Sequence, residues 1–376
     1  MGAVRITRAR VFEADGTFTE RDLCLQDGHI VAEAAGDTVD ARGLMAIPGL
    51  VDVHFHGCMG QDMCNGTEEA IRTLASYEAS RGVLAICPAT MTYPEEKLNA
   101  IADAAAAWVA TGPHKDCADL VGINMEGPFI SPNRVGAQNP AYVQRPDAAM
   151  FRRVQARSGG LFKLVTLAPE VDGALEFVDE LAGEVGVSVG HTCATYKQAA
   201  TAFEHGARQV THMWNAQPPL HHRDPAVVGA ASDYDHVRVE IICDGIHLHP
   251  ATVRIAFKLF AGRVIMIADS MEATGLADGE YALGGQKVIV RGNLATLESG
   301  TIAGSVTNLF DCLRWAVHKA KIPLADALLA CTLTPAQAIG VDNSYGSLDT
   351  GCVANVVLVD DNLDIHAIYL RGERLD

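Results

Sequence analysis

The chain has 376 residues, 49% of them hydrophobic, 20% charged and 6% aromatic. That is enough apolar mass for one large core with a smaller domain, and too much for a disordered chain. Its 46 acidic and 29 basic residues leave a formal net charge of −17, which repels polyanions and excludes nucleic acid and anionic membrane as partners, while a few local cations could still hold a small phosphorylated molecule.

No apolar run approaches the roughly 20 residues of a membrane span. The opening Met1-Gly2-Ala3-Val4-Arg5-Ile6-Thr7 lacks the charged and apolar regions of a secretion signal. The 10 cysteines are scattered singly, without a Cys-x-x-Cys pair. Reduced thiols in a cytoplasmic protein are therefore expected, with Cys58 and Cys64 as structural bystanders.

In chain order, residues 1–48 hold short alternating runs broken by Asp15-Gly16, Asp27-Gly28 and Gly36-Asp37, the punctuation of hairpins in a small antiparallel sheet. Residues 346–376 have the same character, so the two termini are predicted to build one β-sandwich around an inserted domain at 49–345. From Ile47-Pro48-Gly49 onward, strands alternate with helical segments. Strands are expected at Leu50–His56, Gly82–Cys87, Val121–Glu126, Phe162–Leu167, Val187–His191, Gln209–His212, Val237–Cys243 and Val264–Asp269. Helices are expected at Glu68–Ser80, Glu95–Val109, Gly173–Ala182, Tyr196–Glu204, Ala251–Leu259 and Val306–Ala320. Eight such strands close a parallel barrel, so the fold class is α/β, a (β/α)8 TIM-like barrel. Residues 280–297 read as an extra β-hairpin after the last strand.

Several of these strands end on groups that bind metal: His54 and His56, Glu126, His191, His212 and Asp269. Chemistry in this architecture sits at the C-terminal rim of the strands. His54 and His56 alternate, so both side chains project to one face as a metal pincer. Glu126 precedes Gly127-Pro128 and can bind one metal or bridge two. Each residue alone also has a structural reading, as a polar strand end, a cap or a satisfied core histidine. In phase around one rim they point to a metal centre, with Asp269 positioned to take a proton from water and return it to a leaving group. Asp244 is a rival acid whose glycine neighbour suits a turn.

The ordered set resembles the amidohydrolase superfamily, and the spans between resemble its N-acetylglucosamine-6-phosphate deacetylases. The matching segments are Pro48 to Gly57, Asn124-Met125-Glu126-Gly127-Pro128-Phe129, Leu167 to Glu170, Gly190-His191-Thr192, Thr211 to Ala216, His221 to Pro225, Asp244-Gly245-Ile246-His247 and Ala268-Asp269-Ser270-Met271. The resemblance covers essentially the whole chain. It implies that Glu126, His191 and His212 hold the main divalent metal, zinc or iron, with His54 and His56 available for a second. It also implies Asp269 as general base and then acid. Phosphate would be recognised by Asn215, Ala216, His247 and Arg223, with Arg223 reaching the neighbouring site of a homodimer.

Two positions depart from the family pattern. Gln138 stands where the family usually has a histidine that hydrogen-bonds the substrate, and Gln217 stands where methionine is usual, which predicts a more polar pocket wall. N-acetylgalactosamine-6-phosphate and an unphosphorylated sugar therefore remain alternative substrates. A cyclic-amide hydrolase would carry a bridging lysine at the end of strand four. Ala168-Pro169-Glu170 occupies that place, and Lys163 lies at the opposite rim. A barrel without catalysis would have lost ligands, and none is lost here.

Overall fold

The computed structural model describes residues 2–375. Eight parallel barrel strands run Leu50–Asp52, Val83–Ile86 (resuming at Ala89–Thr90), Ile123–Glu126, Phe162–Leu167, Gly186–Val189, Gln209–Val210, Arg238–Ile242 and Val264–Ile267. Neighbours pair in sequence order throughout. The last strand returns to the first where Asp269 N–H donates to the His54 carbonyl at 2.9 Å and His56 N–H donates to the Ser270 carbonyl at 2.8 Å. Buried Asp52 stitches the same seam, accepting from His54 N–H at 3.1 Å and Ala268 N–H at 3.3 Å. The strands are apolar almost throughout because both of their faces are covered.

The regular strands are shorter than the sequence predicts. The first stops at Asp52 and the last at Ile267, so His54, His56 and Asp269 follow their strands rather than belong to them. Helices at Glu68–Ser80 and Tyr196–Glu204 fall at the expected bounds. Both begin on a threonine: Thr67 accepts from Ala70 N–H, and Thr195 forms a reciprocal box with Gln198. Helices at Ala148–Arg157, Ala226–Asp233, Leu324–Cys331 and Leu333–Ala338 were not expected. The second of these is apolar on nearly all sides and contains Gly229, so no amphipathic period marks it. A Cβ at Gly229 would lie 2.4 Å from that of Pro225; glycine is what permits the close turn.

The insertion after the eighth strand has three strands rather than two: Gly279–Leu283, Gln286–Arg291 and Leu294–Leu297. Both termini build one separate sheet, joined where Met45–Pro48 pairs antiparallel with Val356–Val359. Alternation along these strands divides their side chains. Met45, Ile47, Val357 and Val359 face the barrel core, whereas Ala46, Val356 and Leu358 join Ile6, Leu23 and Tyr369 in a second core. The first strand, Val4–Phe12, pairs with Asp37–Asp40 over its first half and with Met45–Ala46 over its second, the change falling at the irregularity between Ile6 and Ala9. The small domain is thereby anchored to the barrel by alternate residues of shared strands.

Candidate active site

The C-terminal rim gathers the predicted ligands around Glu126. Its Oε1 lies 3.0 Å from His191 Nε2, 2.8 Å from His212 Nε2 and 3.5 Å from His54 Nε2. Its Oε2 lies 3.3 Å from His56 Nε2. Asp269 Oδ1 stands 3.4 Å from His56 Nε2 and 3.7 Å from His54 Nε2. All six side chains are buried.

The ring orientations follow from what holds the far nitrogens. His54 Nδ1 is 2.9 Å from Glu240 Oε2, and His191 Nδ1 is 3.0 Å from the Arg134 carbonyl. Each contact fixes a tautomer that presents Nε2 to the cluster, the usual outer support of a metal-ligating imidazole. Glu240 also accepts from Gln209 Nε2 at 2.5 Å and His212 N–H at 3.2 Å.

Burial favours the neutral form of Asp269, but the His56 hydrogen bond and the charges of His54, His56 and His212 outweigh it and hold the carboxyl below its ordinary value. Glu126 is held well below in the same way, burial being overcome by His54 and His191. Burial should depress His56, yet Asp269 and Glu126 raise it to about 10.

The donor set fits a divalent cation. Imidazole nitrogen and carboxylate oxygen are its preferred ligands. Two buried groups have ligand atoms mutually close enough for one ion, His54–Glu126–His212 and His54–His56–Asp269. His54 Nε2 is buried without a hydrogen-bond partner, an arrangement that leaves a lone pair or proton unsatisfied unless something is bound there.

His56, Glu126, His191, His212 and Asp269 line a cavity of about 520 Å3 that Gln138, Asn215, Ala216 and His247 also line, within the range of small-molecule sites. Gln138 is clamped at both ends of its amide: Nε2 donates to Glu126 Oε2 at 2.5 Å and Oε1 accepts from Thr92 N–H at 2.6 Å. His247 gives Nδ1 to Asp244 Oδ2 at 2.7 Å, leaving Nε2 for other partners. Burial depresses His247, but the Asp244 hydrogen bond and charge prevail and raise it. Asp244 also accepts from Ile246 and His247 N–H, which is the turn role expected of it.

Arg223 is exposed and does not line its own chain's cavity; its Nη1 lies 2.6 Å from His222 Nε2. Gln217 is a correction to the sequence reading. It does not line the cavity, because Nε2 turns inward to the Thr211 carbonyl at 2.8 Å. Cys58 and Cys64 are buried, with Cys64 Sγ accepting from Met91 N–H. Glu240, Thr92 and Arg134 were missed. Only Glu240 left a sequence signal, a lone acid inside the apolar run Val239-Glu240-Ile241-Ile242.

The amidohydrolase family model matches residues 45–374. An N-acetylglucosamine-6-phosphate deacetylase of Bacillus subtilis (strain 168) is 35% identical over 329 residues, covering 87% of this chain and 83% of the relative. The chain belongs to the N-acetylglucosamine-6-phosphate deacetylase family of amidohydrolases. An N-acetylgalactosamine-6-phosphate deacetylase of Escherichia coli O157:H7 is 32% identical to this amidohydrolase over 367 residues, covering 97% of each. A solved Mycobacterium smegmatis N-acetyl-D-glucosamine-6-phosphate deacetylase, a mutant in complex with N-acetyl-D-glucosamine-6-phosphate, superposes with a TM-score of 0.92 at 30% identity, covering 100% of this chain and 99% of that one.

Proposed function

We propose that this deacetylase hydrolyses the acetamide of N-acetylglucosamine-6-phosphate to glucosamine-6-phosphate and acetate. The observation that carries the reading is one cavity lined by two chemically distinct sets of groups. His56, Glu126, His191, His212 and Asp269 line it together with Asn215, Ala216 and His247. An amino-sugar phosphate has matching ends, an acetamide and a phosphate.

Glu126, His191 and His212 would hold one divalent ion, zinc or iron, with His54 and His56 available to a second. Such an ion supplies Lewis acidity, polarising the acetyl carbonyl and lowering the pKa of water toward neutrality. Asp269 accepts the proton of the attacking water and returns it to the nitrogen as the C–N bond breaks. Gln138, its carbonyl held by Thr92, directs its amide N–H2 into the cavity; one hydrogen goes to Glu126 and the other is available to a substrate oxygen. Asn215, the backbone of Ala216 and His247 receive the phosphate. Arg223 adds a planar cation to the neighbouring subunit's site in a homodimer.

The place of action is the cytoplasm, in keeping with ten unpaired cysteines, nine of them buried. Among the described residues no helix is long and apolar enough to cross a membrane. The cyclic-amide reading is disfavoured by Glu170 at the end of strand four, which accepts from Thr192 Oγ1 and Cys193 N–H and leaves Glu126 as the central carboxylate.

The test is amine release after zinc or iron reconstitution, with N-acetylglucosamine-6-phosphate, N-acetylgalactosamine-6-phosphate and N-acetylglucosamine compared by kcat/KM. Preference for the first is expected. Preference for the galacto epimer would transfer the same machinery to that sugar and assign Gln138 to the altered choice. Absence of amine from all three would end the deacetylase reading.

A further inference from the structure

Apart from Arg223, which would come from a neighbouring subunit, the groups named so far bring no permanent cation to the phosphate. Glu126 and Asp269 both line the cavity, His247 is already matched by Asp244, and the chain carries a formal net charge of −17. A phosphate dianion entering this field needs a cation. Among the residues lining the cavity, Arg134 alone carries a permanent positive charge.

Arg134 sits in a segment whose backbone is tied down on several sides. Ser131 N–H donates to the His191 carbonyl at 2.9 Å, the Arg134 carbonyl faces His191 Nδ1 at 3.0 Å, and Gln286 Nε2 of the inserted sheet donates to the Ala137 carbonyl at 2.6 Å. Two residues beyond Arg134, Gly136 has φ +58, and a Cβ there would lie 3.2 Å from His191 Cε1 and 3.6 Å from Ala216 Cβ. The segment therefore runs against the wall that carries Ala216. Its side chain has a different fate from other arginines of the molecule. Arg152, Arg153 and Arg157 hold carboxylates; Arg134 is exposed and has no acidic partner among the described residues.

We infer that Arg134 is the same-chain cation that receives the substrate phosphate, and the residue that makes this enzyme favour phosphorylated over unphosphorylated N-acetyl amino sugars. The inference rests on the deacetylase reading above and adds a specificity determinant to it. A fixed backbone with a free guanidinium combines a placed origin with reach, and the planar fork matches two phosphate oxygens.

Arg134→Met keeps the aliphatic stem and the backbone contacts while removing the charge; Arg134→Lys keeps the charge without the fork. For Arg134→Met, KM for N-acetylglucosamine-6-phosphate should rise about tenfold to a hundredfold with kcat little changed, and inorganic phosphate should weaken as a competitive inhibitor by a similar factor. Its kcat/KM for unphosphorylated N-acetylglucosamine should stay within about twofold of wild type, and Arg134→Lys should recover part of the phosphate preference. Equal losses on both sugars would assign Arg134 to holding the loop and overturn the inference, as would an unchanged KM for the phosphorylated one. If wild type turns over neither sugar, the deacetylase reading fails by itself. Calorimetric binding of inorganic phosphate then decides Arg134: binding lost in Arg134→Met upholds the phosphate contact, and binding retained removes it.

Discussion

Glu240→Gln isolates the support beneath the proposed metal ligands from the ligands themselves. The Glu240 carboxylate is fully buried and gathers three donors: His54 Nδ1 at 2.9 Å, Gln209 Nε2 at 2.5 Å and the His212 N–H at 3.2 Å. Two of the three belong to the cluster around Glu126. A glutamine amide oxygen can keep the two contacts now made by Oε2. Its amide nitrogen would then face that of Gln209, which must turn over, and the acceptor on His54 would no longer be charged. A hydrogen bond to a charged group contributes about 1.5–3 kcal/mol, against about 0.5–1.5 for a neutral one, so His54 loses roughly 1–1.5 kcal/mol of orientation and basicity. Removal of such outer support typically weakens metal affinity about tenfold to a hundredfold, equivalent to about 1.4–2.7 kcal/mol. Both routes meet near tenfold. Competition against a chromogenic chelator would give the zinc dissociation constant, and thermal melting of metal-free protein would report the stability change separately. A roughly tenfold weaker affinity is expected. An affinity within about twofold of wild type, whatever the melting temperature does, would refute the claim that Glu240 acts through His54.

Asp269→Asn keeps the shape but not the base, so kcat should fall by about 10²–10⁴ while metal content persists; ordinary turnover would remove Asp269 from that role. Gln138→His places a titratable donor between Thr92 and Glu126, and the kcat/KM profile should acquire an inflection near the imidazole range that wild type lacks; superimposable profiles would show that this position does not touch the reacting substrate. Glu78 is fully buried with both carboxylate oxygens unpartnered, and burial raises its carboxyl well above the ordinary 4.5. The folded state therefore keeps a proton that the unfolded state releases, and wild type loses up to about 1.4 kcal/mol of stability per pH unit from the unfolded pKa up to the folded one. Glu78→Gln removes that dependence, so its melting temperature relative to wild type should rise between pH 5 and pH 8; a constant difference would sink the assignment.

The barrel was legible because its parallel strands, covered on both faces, read as bare apolar runs, and because helices such as Glu68–Ser80 carry an N-cap and an amphipathic period. Ala226–Asp233 has neither a side-chain cap nor a polar face, and it escaped for that reason. At the site, the cluster around Glu126 was legible because histidines and acids ending apolar strands have few structural uses. Their supporting partners were not. Thr92 contributes a backbone N–H to Gln138 and Arg134 a carbonyl to His191; every residue but proline has the first and all have the second, so the side-chain pattern holds no trace of them. Gln217 was misplaced for a related reason. Its neighbours Asn215 and Ala216 line the cavity, but a turn with Trp214 at φ 75 and Ala216 at φ 50 swings the next side chain back under the strand.

The same backbone feature explains how side chains after the strands come together over the rim. His191, His212 and Asp269 have φ of 45, 24 and 47, in or near the left-handed region that non-glycine residues avoid, at a cost of about 1–3 kcal/mol each. Continued extension would send alternate side chains into the barrel and out toward the helices. The reversal lets one residue after each strand turn its side chain over the rim instead. Each reversal is held by hydrogen bonds from other elements: Ser131 N–H to the His191 carbonyl at 2.9 Å, Met213 N–H to the Glu240 carbonyl at 2.8 Å beside His212, and Ser305 N–H to the Asp269 carbonyl at 2.7 Å. Strain that is this widely braced persists only because several segments over-determine it. Because the segment bracing His191 also carries Arg134 and Gln138, backbone changes to that stretch, unlike a side-chain replacement at Arg134, should disturb the Glu126–histidine cluster and the cavity wall together.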